Sequence, residues 1–525
     1  MPFQGARRTL WSFALLLLLT SGYSFGQGSA TAGATAQVSV TPESLLIDSY
    51  IAGKDFDHEE RAMQLASLTL ASAKIQPAFD RLWSEELFQL SFQLPITWNR
   101  VASEKNALQA LSLVDPVRAF ELFGTIDNPV PMDSGAMPED VRAFAARTVF
   151  VQYWRKEGPK SLDEIRAQAE HLGTTGQYPF SAMVPIIQDM AKSDDLKADS
   201  LYGEAVSFYG KGTQFGTTNQ EFVDFVNSLW GTVPVALERQ ALQLLVDNLT
   251  REEKPTPNVS YVAQVKSSHG SAQFSHVQKE LLYSILPRVR EIDPQWANDL
   301  VRNNKDLGQP GAEGTTSSHV ESATVVNSSG ASPAQIAAAR AKMLQEQEVD
   351  EIEQTAQSDP TRAYAMSASL TDSEAQSEAL AAVAEGYASQ HDARAQEFLE
   401  QAADRIRALP NNADKVRAFV FLSRAAAVAQ DASLLRDALH DGLDLGQELY
   451  EEDFNVHPGK LSYQGACFDS LTALVHIGTQ SDTQWTLTYL HSVQNQLLSA
   501  YLPIEAASAL FEAQHPEVNG NRPAR

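Results

Sequence analysis

One short segment of the sequence collects side chains that could bind a partner or transfer protons. Residues 449–465, LYEEDFNVHPGKLSYQG, combine carboxylates with a histidine, a lysine and tyrosines. A carboxylate and a histidine in one loop can act as acid and base, but the sequence gives neither their separation nor a perturbed pKa. Long polar insertions in repeat proteins often lie on the binding face. We therefore predict a solvated loop or a binding contact, rather than a catalytic site, at Tyr450, Glu451, Glu452, Asp453, His457, Lys460 and Tyr463.

Two further polar clusters resemble ion sites but are better explained as helix starts. DFDHEER at 55–61 lacks the central glycine and the late glutamate of a calcium loop. Acidic residues in the first turn of a helix complement its dipole, which accounts for this cluster and for the aspartates of KSDDLKAD at 192–199.

The common catalytic signatures are absent from the sequence. There is no Ser-x-x-Lys pair, Gly-x-Ser-x-Gly elbow or phosphate-binding loop, and the one His-Glu pair, His58-Glu59, lacks the second histidine of a zinc helix. Cys467 is the only cysteine, so an internal disulfide cannot form, and we interpret it as a small buried residue rather than a nucleophile. We predict no catalytic residues, no metal and no cofactor.

The dipeptide Asp-Pro occurs in three similar contexts, LVDPVRAFEL, IDPQWANDL and SDPTRAYAM. The carboxylate can cap free backbone N–H groups, and proline at the first helical position gives up an N–H that had no partner. Each dipeptide therefore predicts the start of a helix, following another helical segment. We predict structural caps at Asp115, Asp293, Asp359, Asp392 and Asp431.

The same pattern of capping residues and prolines predicts further helix starts near Pro77, Ser161, Asp194, Pro234 and Asp482. The spacings between predicted helix starts recur along the chain. Asp392 and Asp431 are 39 residues apart, and Asp359 and Asp392 are 33 apart. Periods of this size indicate helical hairpins that bury their apolar faces by stacking.

The C-terminal half holds the most regular pair of segments. EALAAVAEGYASQHDARAQEFLEQA and RAFVFLSRAAAVAQDASLLRDAL align at an offset of 39 residues, and Ala395, Leu399 and Ala402 followed by Pro410 match the second helix of a repeat. Over residues 359–450 the chain resembles the tetratricopeptide-like α-solenoids. The tryptophan and the glycine-tyrosine pattern of that family's first helix are missing. The resemblance implies stacked helical hairpins and no particular activity.

We accordingly predict an all-α protein of stacked antiparallel helical hairpins, in two regions. Residues 303–333 are rich in Gly and Ser and poor in large apolar side chains, which predicts a disordered linker or long excursion. Short β-branched pieces such as ATVVNSS are interpreted as flexible. The predicted organisation is a signal peptide at 1–26, a disordered leader at 27–41, helical regions at 42–302 and 334–514, and a disordered tail at 515–525.

The N-terminus and the net charge restrict the compartment and the partners. Arg7 and Arg8 precede a short apolar run and then small residues, which predicts a signal peptide cleaved after Gly26. Its removal takes away two of the 40 bases and no acid, so the formal charge changes from −26 to about −28. Such a surface repels phosphate backbones and anionic lipids, which argues against nucleic acid and membrane partners.

Three functions are compatible with these patterns. The first is an exported, periplasmic or extracellular, non-catalytic scaffold that binds a protein or peptide, because stacked hairpins form an extended concave surface. The second is a glycan hydrolase, since paired carboxylates on a helical framework leave no local signature. The third is a purely structural envelope protein. The sequence does not specify the ligand or the oligomeric state.

Overall fold

The structure is a computed structural model, and it describes most of the chain from residue 40 onward. The predicted signal peptide, the leader up to residue 39 and the tail beyond residue 516 lie outside the described residues. The described ranges are 40–95, 98–126, 141–211, 216–251, 259–267, 270–274, 276–308, 319–327, 333–456, 465 and 467–516.

The first part of the chain consists of thirteen described helices, with a β-hairpin before the last two. Its helices are α1 (Pro42–Ala52), α2 (His58–Ile75), α3 (Pro77–Ser91), α4 (Trp98–Val114), α5 (Pro116–Phe123), α6 (Val141–Glu157), α7 (Leu162–Thr174), α8 (Phe180–Ala191), α9 (Asp195–Lys211), α10 (Gly216–Ser228), α11 (Val235–Leu249), α12 (Val277–Ile292) and α13 (Pro294–Asn303). A 3-10 turn at Gly158–Ser161 precedes α7.

The second part begins with one strand, described below, and its remaining described elements are helices. Its helices are α14 (Pro333–Ser358), α15 (Pro360–Ser367), α16 (Ser373–Ser389), α17 (Arg394–Ala408), α18 (Ala413–Val428), α19 (Ala432–Val456), α20 (Phe468–Ser481), α21 (Thr483–Ser492) and α22 (Gln496–Gln514). The all-α prediction is thus confirmed for the bulk of the described chain.

A small antiparallel sheet is the exception, and it corrects two predictions. Strands β1 (Val259–Ser267) and β2 (Gly270–Phe274) form a hairpin, and β3 (His319–Asn327) pairs with the other edge of β1 in the order β2-β1-β3. The flexible interpretation of ATVVNSS is therefore wrong over its first five residues. Its β-branched side chains favour a strand, and the ladder to β1 supplies the backbone hydrogen bonds.

The predicted disordered excursion at 303–333 thus contains regular structure, because β3 and a 3-10 turn at Lys305–Gly308 lie within it. The sheet rests on α12, where the buried ring of Phe274 lies 5.0 Å from that of Tyr283.

Helices pair as antiparallel neighbours along the chain, and the first helix of each pair also contacts the first helices of adjacent pairs. In the N-terminal part these contacts run from α2 through α4, α6, α8 and α10 to α12. In the C-terminal part they run from α14 through α16, α18 and α20 to α22.

Besides the β1–β3 ladder, the two parts join where the first described helices meet the last one. Helix α22 packs against both α1 and α2, so α1 takes the place of the second helix of the last pair. The Ser49 hydroxyl donates a hydrogen bond to the carbonyl oxygen of Ala500 at 2.5 Å, and the Tyr501 hydroxyl donates to the carbonyl oxygen of Glu60 at 3.3 Å. The row of first helices therefore continues from α22 into α2.

Predicted helix starts coincide with observed ones. Asp115, Asp293, Asp359 and Asp431 each accept a backbone N–H two or three residues ahead, at 3.0–3.2 Å. Asp392 differs slightly: it bonds the N–H of Arg394 at 2.9 Å, while Ala393 takes the cap position of α17. Local side chain to backbone bonds of this kind satisfy donors that the helix leaves unpaired.

The offset of 39 residues has a physical counterpart at the turns and between the helices. His391 and Gln430, 39 positions apart, both adopt positive φ, 57° and 59°, at the ends of α16 and α18. Gly386 allows α16 to approach the backbone of Ala356 in α14, where a Cβ would clash. The equivalence at the offset of 39 is thus seen at the turns, in His391 and Gln430.

Candidate binding groove

The polar segment predicted as a binding contact divides between core and surface. The side chain of Tyr450 is 0% exposed and packs against Phe454, at 5.0 Å between ring centroids, and against Phe468. Burial raises the pKa of its phenol well above the ordinary value. Tyr450 therefore presents no surface to a partner, because α19 continues to Val456 and places it on the buried face with Leu439 and Leu443.

The remaining members of that segment differ in position. Glu452 is exposed and Glu451 is partly buried. Glu451 lines an open depression of about 320 Å³ together with Phe454, Asn455, Asn495, Gln496 and Leu497. His457, Lys460 and Tyr463 lie outside the described residues. A binding role for Glu451, Glu452 and Asp453 stays a prediction.

A second depression lies between α2 and α22, and hydrogen bonds near the N-terminal ends of these two helices help to position them. Asp57 caps α2 by accepting from the N–H of Glu60 at 2.9 Å, and Asn495 caps α22 at the N–H groups of Leu497 and Leu498. The Arg61 guanidinium donates to the carbonyl oxygen of Tyr50 at 2.9 Å. Together with the bonds from Ser49 to Ala500 and from Tyr501 to Glu60, the Arg61 bond ties α1, α2 and α22 to one another.

The groove between α2 and α22 has a volume of about 280 Å³. Its apolar residues are Ile75 and Ile504, which are buried, and Leu70 and Phe511, which reach solvent. Leu70 is 51% exposed, which is a large fraction for an apolar side chain in a depression. The complete lining is Ser67, Leu70, Ala71, Lys74, Ile75, Ile504, Glu505, Ser508, Phe511 and Glu512.

A histidine on α20 contacts the acidic edge of this groove. Nδ1 of His476 lies 2.5 Å from Oε1 of Glu505, and its Nε2 lies 3.6 Å from Oε2 of Glu512 and 2.9 Å from Nε2 of Gln480. The side chain of Glu505 remains 34% exposed, so its carboxylate is accessible from the groove as well as from the imidazole.

The corresponding face of the C-terminal first helices is occupied by ion pairs. Arg424 of α18 contacts Glu385 of α16 at 2.6 Å and Glu353 of α14 at 2.8 Å. Seven residues earlier on each helix, Arg417 contacts Glu378 at 2.7 Å and Glu346 at 2.9 Å, which makes a second set of ion pairs.

Within these ion pairs, burial and ion pairing shift the pKa values of the glutamates in opposite directions. Burial raises the pKa values of Glu378 and Glu385, and the arginines lower them in part. A third pair links Lys342 of α14 to Asp414 of α18 at 2.8 Å. Side chains of α14 thus reach α18 across α16, and the charged groups named here are paired with one another within the chain.

The titratable groups of the described ranges are candidate metal ligands and, at Cys467, a candidate nucleophile. Within them, groups of three or more His, Cys, Asp and Glu side chains do not form a metal-binding arrangement. Burial raises the pKa of the partly buried Cys467 thiol to about 11, which disfavours the nucleophilic thiolate. Each of the described helices is too short or too polar to cross a membrane.

Sequence reasoning did not find the groove between α2 and α22. Leu70 and Phe511 are separated by most of the chain, and neither belongs to a motif. How much of Leu70 is covered depends on how α22 docks on α2. This contact joins remote segments, and no local sequence pattern predicts it.

Comparison of the chain with protein-family models, with characterised proteins and with solved structures finds no match to any of the three.

Proposed function

We propose that the protein is an exported, non-catalytic helical-repeat protein that binds a protein or peptide partner. The observation that carries this proposal is the continuous row of first helices, from α14 through α22 and α2 to α12. Hairpins stacked in such a row make an α-solenoid, and the C-terminal hairpins are tetratricopeptide-like in this interpretation. Solenoids of this kind bind partners along the surface that the row presents.

The form of the surface depressions supports binding rather than glycan hydrolysis. A hydrolase needs two carboxylates roughly 5–10 Å apart around a bound sugar. Prominent depressions of the described surface are open to solvent and have volumes of about 280–510 Å³. Open depressions of this kind suit side chains of a partner, whereas hydrolysis of a glycan calls for a deep cleft between the two carboxylates.

The charge supports a protein partner over a nucleic acid or a membrane. With a net charge of −26 the chain repels polyanions at long range. Export rests on the signal peptide predicted at 1–26. Cell fractionation with N-terminal sequencing tests it: we expect a protein that begins at Gln27 outside the cytoplasmic compartment, and an intact form beginning at Met1 in the membrane would contradict it.

Immobilised mature protein tests the binding function. We expect it to retain a partner protein saturably, and excess free protein should compete for that partner. A matched column carrying the heat-unfolded chain controls for adhesion to an acidic polypeptide. Release of reducing sugars from glycans by the purified protein, with loss of that activity on replacing a carboxylate pair, would contradict the proposal.

A further inference from the structure

We infer that the groove between α2 and α22 docks an amphipathic helical segment of a partner that carries Lys or Arg beside its apolar face. This inference rests on the proposed binding function and names the chemistry of the partner at one site.

The first argument is the apolar surface that the groove leaves in water. Leu70 is 51% exposed, and Phe511 is partly exposed beside the buried Ile75 and Ile504. Removing apolar area from water is favourable. A partner that places apolar side chains here gains that free energy without any rearrangement of the two helices.

The second argument is size and form. The groove measures about 280 Å³ and runs between two helices. This is small for a cofactor or drug-sized ligand, whose sites span roughly 300–1,000 Å³, but it accommodates one or two anchor side chains. A helix that lays residues i and i+3 or i+4 into a groove of this kind is a common recognition mode.

The third argument is charge complementarity at the rim. Glu505 and Glu512 lie on the α22 side and one lysine, Lys74, lies on the α2 side, on a chain of net charge −26. Because Glu505 keeps 34% of its side chain exposed, a partner cation can reach its carboxylate. Opposite charges at a rim raise the association rate and select between partners.

A pair of synthetic helical peptides tests the inference. One has a leucine face flanked by lysines, and the other has the same leucine face flanked by glutamates. Fluorescence anisotropy of the labelled peptides should show saturable binding of the leucine–lysine peptide and at least about tenfold weaker binding of its acidic counterpart.

Two matched variants identify the site. Leu70→Asp places a charge in the groove, whereas Leu113→Asp does the same on α4, where Leu113 is 53% exposed. Both variants add one negative charge, so non-specific attraction of a cationic peptide would increase in both. We expect Leu70→Asp to weaken binding about tenfold or more, and Leu113→Asp to leave it unchanged. Thermal unfolding establishes that both variants are folded.

Several outcomes would overturn the inference. Equal binding of the two peptides, or binding that Leu70→Asp leaves intact, would remove the groove as the docking site. Self-association of the wild type that Leu70→Asp abolishes, measured by analytical ultracentrifugation, would assign the groove to a second copy of the chain instead. A partner retained equally by the wild type and by Leu70→Asp on the affinity column would leave the proposed function standing while this inference fails.

Discussion

Ser49 and Ala500, 451 positions apart, share a buried hydrogen bond from the serine hydroxyl to the alanine carbonyl oxygen. Gln64 donates from its side-chain amide to the carbonyl oxygen of Ser49 at 2.5 Å, so the same point also ties α1 to α2. The seam between the two parts of the chain is therefore held by backbone groups as well as by apolar packing.

Removing the Ser49 hydroxyl should destabilise α1 and α22 together. We expect Ser49→Ala to lower the free energy of unfolding by about 1 kcal/mol, the usual net value of such a bond. Hydrogen exchange should become faster in α1 and α22 alike. The control is Ser499→Ala, because the Ser499 hydroxyl bonds only within its own helix, to Gln496 at 2.9 Å. Faster exchange confined to α1 would contradict the coupling.

Capping by Asp359 should contribute to stability and to nothing else. The carboxylate accepts from the N–H of Arg362 at 3.0 Å, so we expect Asp359→Ala to lower the free energy of unfolding by about 1 kcal/mol. Asp404, which is exposed within α17, offers the control, and Asp404→Ala should change stability by less than about 0.5 kcal/mol. An unchanged melting temperature of Asp359→Ala together with loss of partner binding would make this aspartate a contact residue.

Asp80 should make the protein less stable as the pH rises. Burial raises the pKa of this fully buried carboxyl to about 6, against a partial opposing effect of its bond with Ser84. The folded state then binds the proton more tightly than the unfolded chain does, so stability falls between about pH 4 and pH 6.

The variant Asp80→Asn removes that titration. It should be more stable than the wild type at pH 7, by at most about 3 kcal/mol, and the difference should shrink toward zero below pH 4. Melting temperatures across this range measure the effect. Destabilisation of Asp80→Asn at pH 7 that disappears below pH 4 would indicate that the fold uses the carboxylate as an anion.

Removing Arg424 should leave two partly buried carboxylates, Glu353 and Glu385, without their cation. We expect Arg424→Ala to lower the free energy of unfolding at pH 7 by about 1–2 kcal/mol, less than for a fully buried pair because the side chains retain some solvent.

That cost should decrease in acid. Burial raises the pKa of Glu385, so its destabilising charge disappears as the pH falls through that raised value. Arg302→Ala removes the exposed pair of Arg302 with Asp299 and should change stability by less than about 0.5 kcal/mol. A cost of Arg424→Ala that is independent of pH would indicate lost packing of the arginine stem.

The helix starts were predictable from the sequence because their chemistry is local. Asp115, Asp359 and Asp431 bond N–H groups three residues away, and those distances are set by the helix itself. Tyr450 was misplaced although a signal existed, since the apolar spacing of Leu439 and Leu443 continues to it through α19.

The strand β3 and the groove were not predictable in the same way. Strand β3 gains its hydrogen bonds from β1, more than 50 positions earlier in the chain, and Leu70 is positioned by α22. Contacts between remote segments depend on how whole hairpins dock, and a single sequence records no pattern for that.

The seam between α1 and α22 makes the order of the hairpins in space differ from their order in the chain. A permuted polypeptide that began at Pro333 and ended at Asn303 would pass through the hairpins in spatial order. In the natural order, α22 is synthesised after all the other described helices. Helix α1 therefore cannot pack against α22 until then. Closing a loop of 451 residues costs about 2 kcal/mol more entropy than closing one of 39 residues. The seam therefore costs more loop-closure entropy than the junction between two successive hairpins does.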